Sequence, residues 1–203
     1  GEQVLKALEG HYTDDGLFML QQAHDAYFFY QEQIKQCDEK LNDVLNQINK
    51  DKEDNYLNPL DKVRRKPIRH NKPDIGNLGE HLLKMCSGRD AQTLPGITDY
   101  TWLKLIGEIG LNLSKWPTEK HFTSWLGLAP GQHHSGKMKR NKKKGRPTAG
   151  EIFKIAAQSV VESKQLALGA FGRRIRAKKG PAKAIKAVAR KIATQHWRLM
   201  VKG

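Results

Sequence analysis

The sequence predicts an all-α protein, a long coiled-coil helix followed by a compact helical domain with a helix-hairpin-helix-like element. Three observations predict it. Apolar residues recur at heptad spacing through residues 20–48, helical periodicity with N-terminal capping signals returns repeatedly between residue 77 and the C-terminus, and no stretch alternates as a half-buried strand would. The chain has 203 residues, 38% hydrophobic and 28% charged. That is little apolar material for one sphere and suits an extended or two-part shape.

The heptad positions a and d from Leu20 onward read Leu20, Ala23, Tyr27, Tyr30, Ile34, Cys37, Leu41, Val44 and Ile48. Polar residues fill most intervening places, the pattern of a two-faced coiled-coil helix. A helix over 18–50 would be roughly 50 Å long at about 1.5 Å per residue. Residues 1–55 are therefore expected to be a coiled-coil region that self-associates. Residues 56–76 carry Pro59, Pro67 and Pro73 among scattered charges and read as a linker, with Arg64, Arg65, Lys66 and Arg69 available to touch nucleic acid.

Residues 77–203 form the expected helical domain. Over 77–110 the pattern is helix, tight turn, helix. Leu94-Pro95-Gly96-Ile97 makes the turn, Thr98 or Asp99 caps the next helix, and Trp102, Leu103, Leu105, Ile106 and Ile109 supply its apolar positions. This turn is similar to a helix-hairpin-helix, in which Gly96 would lie close to a backbone phosphate; an ordinary αα corner is the alternative. A short helix from Pro117, with Glu119 in its first turn, ends before Gly127. An amphipathic helix follows Pro147, its apolar set including Ile152, Ile155, Ala156 and Val160, and Gly169 and Gly172 interrupt it. The last helix starts at Pro181 with Ile185, Val188, Ile192 and Leu199 on its core face.

Charge is distributed unevenly. Residues 131–203 hold 20 Lys and Arg against Glu151 and Glu162, whereas the first 130 residues hold 16 basic and 19 acidic side chains. Clustered cations of this kind suit a polyanion, nucleic acid above all, because each neutralised phosphate releases counterions. The candidate contacts are Lys137, Lys139, Arg140, Lys142, Lys143, Lys144 and Arg146, then Arg173, Arg174, Arg176, Lys183, Lys186 and Arg190. No apolar run is long enough for a spanning helix, so a membrane partner is not expected. Two cysteines at no zinc spacing fit a reducing cytosol.

Within the basic region stands His133-His134-Ser135-Gly136-Lys137. A serine hydroxyl attacks phosphorus only when a base takes its proton and cations neutralise the phosphate, and here His133 or His134 and the following lysines could serve. From the spacing alone, a serine that merely hydrogen-bonds a phosphate is the better reading. Nucleophile elbows, Walker loops and paired-histidine metal motifs are absent. With only two carboxylates, the basic region holds no two-metal nuclease site.

Four segments in order, LPGITDYTWLKLIGEIG, WPTEKHFTSWLGLAPG, the HSGK run and LGAFGRRIRAKKGPAKAIKAVARKIA, resemble the C-terminal domain of insertion-sequence transposases of the IS-one-ten and IS-eleven-eleven group. These are the bridge-RNA- or seekRNA-guided recombinases related to Piv-type invertases; the FFYQEQIKQCDEKL stretch resembles their coiled coil. The resemblance implies DNA and a guide RNA as partners, a bacterial or archaeal cytoplasmic location, and a composite active site. In that site a RuvC-like domain binds Mg²⁺ through four carboxylates, and a serine after the G-L-x-P element is the nucleophile. Here G-L-x-P is Gly127-Leu128-Ala129-Pro130, which places the serine at Ser135. No RuvC-like pattern of spaced Asp and Glu on strands occurs in this sequence. The expectation is therefore a portion with no cofactor of its own, which binds nucleic acid and is inactive alone. A non-catalytic nucleic-acid-binding module is the alternative.

Overall fold

The computed structural model describes residues 10, 13–52, 72–130 and 147–203, and among them every regular element is helical. The chain divides into two compact units, one ending at Gln47 and including Pro73–Ile75, the other built from the remainder.

In the first unit, α1 spans Asp14–Asn49, 36 residues. It starts four residues earlier than the expected 18–50, with Asp14 and Asp15 in its first turn, where carboxylates offset the positive end of the helix dipole. The heptad residues Leu20, Tyr27, Tyr30, Ile34, Val44 and Ile48 are exposed along it. So are Leu17, Phe18, Met19, Phe28 and Phe29, and the rings of Phe28 and Phe29 lie against Tyr27 and Tyr30 at 5.3 and 5.5 Å. The Asp74 backbone N–H donates to the Asp38 carboxylate at 2.8 Å.

The second unit is a helical bundle. Its first helix, α2 (Leu78–Met85), buries Leu78, Leu82 and Met85, one stripe of its surface. Asn49 and Lys52 donate to the His81 and Met85 carbonyls at 2.9 Å each. Ser87, at φ 54°, ends α2 in a Schellman turn: its N–H donates to the Lys84 carbonyl and that of Gly88 to the Leu83 carbonyl. A 3₁₀ turn at Ala91–Thr93, capped by Asp90, leads to the Leu94–Ile97 turn.

Thr98 caps α3 (Asp99–Ile109), its Oγ1 accepting from the Thr101 N–H at 3.1 Å, and Trp102, Leu105 and Ile109 are buried. Helix α4 (Glu119–Trp125) begins at a Thr118 cap. Helix α5 (Thr148–Glu162), with Pro147 just before its first turn, buries Ile152, Phe153, Ala156, Ala157, Val160 and Val161. Ile155, expected in that core, is 70% exposed instead, because it falls outside the stripe those residues form.

Helix α6 (Ala167–Lys179) runs through both glycines expected to break it. A methyl group on Gly172 would stand 2.7 Å from Val161 and 2.9 Å from Val188, and one on Gly169 would stand 2.5 Å from the Ser163 and Val160 carbonyls. Lacking Cβ, the two residues bring α6 against its neighbours, and that contact outweighs their poor helix propensity. Gly180, at φ 85°, turns the chain into α7 (Pro181–Lys202).

Helix α7 is the centre of the bundle, in contact with α4, α5 and α6. It buries Ala184, Val188, Ala189, Ile192, Ala193, His196, Trp197 and Met200. Of the expected core face, Ile185 and Leu199 are only half-buried, and the alanines take their place as close-contact positions. The Trp197 indole N–H donates to the Trp116 carbonyl at 3.2 Å, and Arg89 donates to the Met200 carbonyl at 2.5 Å. His196 is fully buried against Phe153, 5.7 Å between ring centres. Desolvation pushes its pKa down to about 4, so it is neutral near pH 7.

Candidate nucleic-acid interface

The segment 131–146 holds His133, His134, Ser135, Lys137, Lys139, Arg140, Lys142, Lys143, Lys144 and Arg146 and lies outside the described residues. Both of its ends are described. Helix α4 closes in a Schellman turn, the Gly127 N–H donating to Ser124 and the Leu128 N–H to Thr123, with Gly127 at φ 70°. Leu126 and Leu128 are buried behind it, so the G-L-x-P element is the C-terminal stop of α4.

On the other side, α5 starts with buried Ala149 and Gly150. A Cβ on Gly150 would overlap the Leu126 carbonyl oxygen. The backbones of α4 and α5 thus touch at this pair, which flanks the basic segment in sequence. Glycine is required there by a close backbone approach.

Around this place the first turn of α4 is tied to α7. Arg198 grips the Glu119 carboxylate with two hydrogen bonds, at 2.5 and 3.3 Å. The hydrogen bond and charge of Arg198, with the charges of Lys202 and Lys120, hold the Glu119 pKa below its ordinary value. Trp116, Phe122 and Trp125 form an aromatic group beside it, ring centres 4.8 Å apart for the tryptophan pair. Lys115 lies 4.4 Å above the Trp116 ring.

The cations of α6 and α7 divide into two sets. Arg173 donates to the Val161 and Ser163 carbonyls and so satisfies acceptors exposed at the end of α5. Arg176 pairs with Glu162 at 2.6 Å. Arg174, Lys183, Lys186 and Arg190 have no acidic partner among the described residues. The last three share one face of α7 by their three- and four-residue spacing. Lys178 and Lys179, exposed in the last turn of α6, extend this group although the sequence reading did not single them out. Helical spacing would have included them, Lys178 four residues after Arg174 and Lys179 three after Arg176.

Gly96 has φ +76°, and a Cβ there would stand 2.6 Å from the Ala156 carbonyl and 2.9 Å from Val160. Packing of the turn against α5 therefore accounts for this glycine without a phosphate. Cys86 is buried, and desolvation pushes its thiol up to about 11, which leaves it protonated and a poor nucleophile.

A helical scaffold on which Arg174, Lys183, Lys186 and Arg190 have no acidic partner among the described residues offers a candidate surface for a polyanion. More particularly, residues 89–171 match the family model described as Transposase IS116/IS110/IS902 family. The match takes in α3, α4, α5, the start of α6 and the whole basic segment, less than half of the chain. It agrees with the resemblance carried by the motifs. The chain is thus similar to insertion-sequence transposases, whose activity class is DNA transposition and whose partner is DNA. No curated protein and no solved structure matches it. No described helix is long and apolar enough to cross a membrane.

Proposed function

We propose that this chain is the DNA-gripping and nucleophile-bearing part of an RNA-guided transposase, with Ser135 as the nucleophile. The observation that carries the reading is that the transposase match spans the HSGK segment between two helix ends held together at Leu126 and Gly150. A reactive hydroxyl on a long segment needs such a fixed base, because catalysis requires it to return to one position relative to the phosphate.

In the proposed step Ser135 Oγ attacks a DNA phosphorus. One P–O bond forms to serine and one breaks to the leaving deoxyribose oxygen, with the serine proton passing to His133 or His134 and from that imidazolium on to the leaving oxygen. The phosphoserine linkage keeps the bond energy for rejoining. Lys137, Lys139, Arg140, Lys142, Lys143, Lys144 and Arg146 neutralise the phosphate. Arg174, Lys183, Lys186 and Arg190 hold DNA or guide RNA along its backbone, and α1 joins protomers.

The Mg²⁺ implied by the family resemblance does not fit the residues described here. Among them no group of three or more His, Cys, Asp or Glu stands where it could hold an ion, so no step is routed through metal in this chain. The carboxylates of a RuvC-like domain would supply it in the complete enzyme.

Ser135→Ala in the complete enzyme, with its RuvC-like domain, tests the reading. Strand exchange should fall by at least about 10³-fold, as when other covalent nucleophiles are removed, with guide RNA binding retained. Exchange at the wild-type rate, or failure to trap any protein–DNA adduct with wild-type enzyme, would refute it. The adduct's absence would favour a module that only grips backbones.

A further inference from the structure

Four tryptophans stand in this chain, and three are put away in the bundle: Trp102 at 0%, Trp197 at 5% and Trp116 at 9% exposure. Trp125 is different, at 41%. It is the last residue of α4, one position before the Leu126 carbonyl that meets Gly150, and so stands at the foot of the lysine-rich segment. Its indole is not loose. It rests 4.8 Å from the Trp116 ring and runs nearly parallel to Phe122, 19° between planes at 6.5 Å. Trp116 is itself anchored through its carbonyl to Trp197.

The surroundings are cationic and polar. His121, four residues earlier and so on the same face of α4, is exposed and hydrogen-bonded to Thr118 at 2.8 Å. Lys120 is exposed beside it, and with Arg198 and Lys202 it leaves Glu119 outnumbered by positive charge. An indole held from behind and partly open to solvent, on a group whose Trp116 ring carries Lys115 at 4.4 Å and on a helix whose first turn carries Lys120 and meets Arg198, has the makings of a base-stacking surface. Phosphates need only the cations, and the bases of an intact duplex already stack on each other. The ring is therefore useful to an unpaired base.

We propose that Trp125 is the stacking platform for an unpaired base of single-stranded DNA, held at the base of the segment that carries Ser135. The inference rests on the DNA-acting reading above and adds the form of DNA that this place takes. Single strands appear wherever a duplex is opened for exchange, and the platform lies beside the proposed nucleophile in sequence. The neighbouring cations hold the phosphates flanking the stacked base.

The test uses the full chain and fluorescent oligonucleotides of one sequence as single-stranded DNA, duplex DNA, RNA, and single-stranded DNA carrying abasic residues. Trp125→Ala should weaken single-stranded DNA binding about tenfold, as loss of one stacked base does, and Trp125→Phe should keep most of the affinity. Duplex binding should stay the same. Abasic residues should cost the wild type a similar factor and cost Trp125→Ala almost nothing.

Unchanged single-strand affinity in Trp125→Ala, an equal loss on duplex, or a loss confined to RNA would overturn the proposal. So would loss of self-association in that variant, measured by light scattering, which would give the ring to a second copy of the chain. Should Trp125→Ala melt early, the abasic series on wild type decides alone, and equal affinity with and without bases overturns the platform. Any of these leaves the DNA-acting reading standing if wild type still binds duplex in a salt-sensitive way. Absence of all DNA binding would overturn that reading instead.

Discussion

Helix α1 and the α5–α7 bundle distribute the same residue types in opposite ways. The bundle keeps Phe153, Val160, Val188 and Ile192 inside and turns Arg174 and Lys183 outward. Along the first thirty or so described residues α1 sets Phe18, Leu20, Tyr27, Phe28, Tyr30 and Ile34 in water and buries only Leu45. Exposed apolar surface of this extent marks a face meant to be covered. The bundle covers its apolar residues within the chain, whereas α1 leaves its own open, which is why self-association through α1 is part of the proposal. Phe28 and Phe29 add to the lesson, since they fall at heptad positions b and c, which a two-stranded coiled coil leaves in solvent.

The contrast can be broken most severely inside the bundle. Gly150→Val places a branched side chain against the Leu126 carbonyl and should cost several kcal/mol, as other backbone overlaps and overpacked sites do, seen as a large fall in the denaturation midpoint. A wild-type midpoint in that variant would mean that α4 and α5 do not meet there.

Acid is the next largest effect. His196 has a folded pKa near 4, below the ordinary value of 6.5, so the unfolded chain binds the extra proton first. Stability from this residue is complete above about pH 6.5 and is lost as pH falls toward 4, by roughly 3 kcal/mol. Denaturant titrations at several pH values should show this slope, and His196→Phe should flatten it.

Surface changes should leave the bundle's stability within about 0.5 kcal/mol while moving other readouts. Replacing Lys183, Lys186 and Arg190 together by Gln should weaken DNA binding and reduce the slope of log affinity against log salt by up to about three, one per lost phosphate contact. An unchanged slope would remove this face of α7 from the interface.

The smallest effect on folding is expected from Tyr27→Asp with Ile34→Asp in α1. It should reduce self-association measured by sedimentation and leave the bundle's melting temperature unchanged. Association that persists would place the contact elsewhere.

Local rules made much of this legible. The heptads gave α1, the Thr98-Asp99 pair marked the start of α3, Pro117 fell two residues before that of α4, and Pro181 marked the start of α7. Gly169 and Gly172 were misread as helix breaks because propensity is a local quantity, and their contacts with Val160, Val161 and Val188 are tertiary. Ile155 shares helical spacing with Ile152, Ala156 and Val160 and was placed in the core with them, but the buried stripe is centred on 152, 153, 156, 157 and 160 and leaves it outside. Of the interface, the basic residues were visible as composition. That Arg173 and Arg176 have intramolecular partners, and that Trp125 alone of four tryptophans stands open, depends on which helices meet.

The contact of Gly150 with Leu126 also makes the intervening stretch a replaceable cassette. Because Leu126 and Gly150 touch, the chain that runs between them starts and ends at neighbouring points. Lengthening it costs only loop-closure entropy, about 0.6 kcal/mol for a doubling. A graft of different length or charge between Pro130 and Pro147 should therefore leave the bundle folded. The reach of Ser135, the proposed nucleophile, would then be tuned independently of the scaffold.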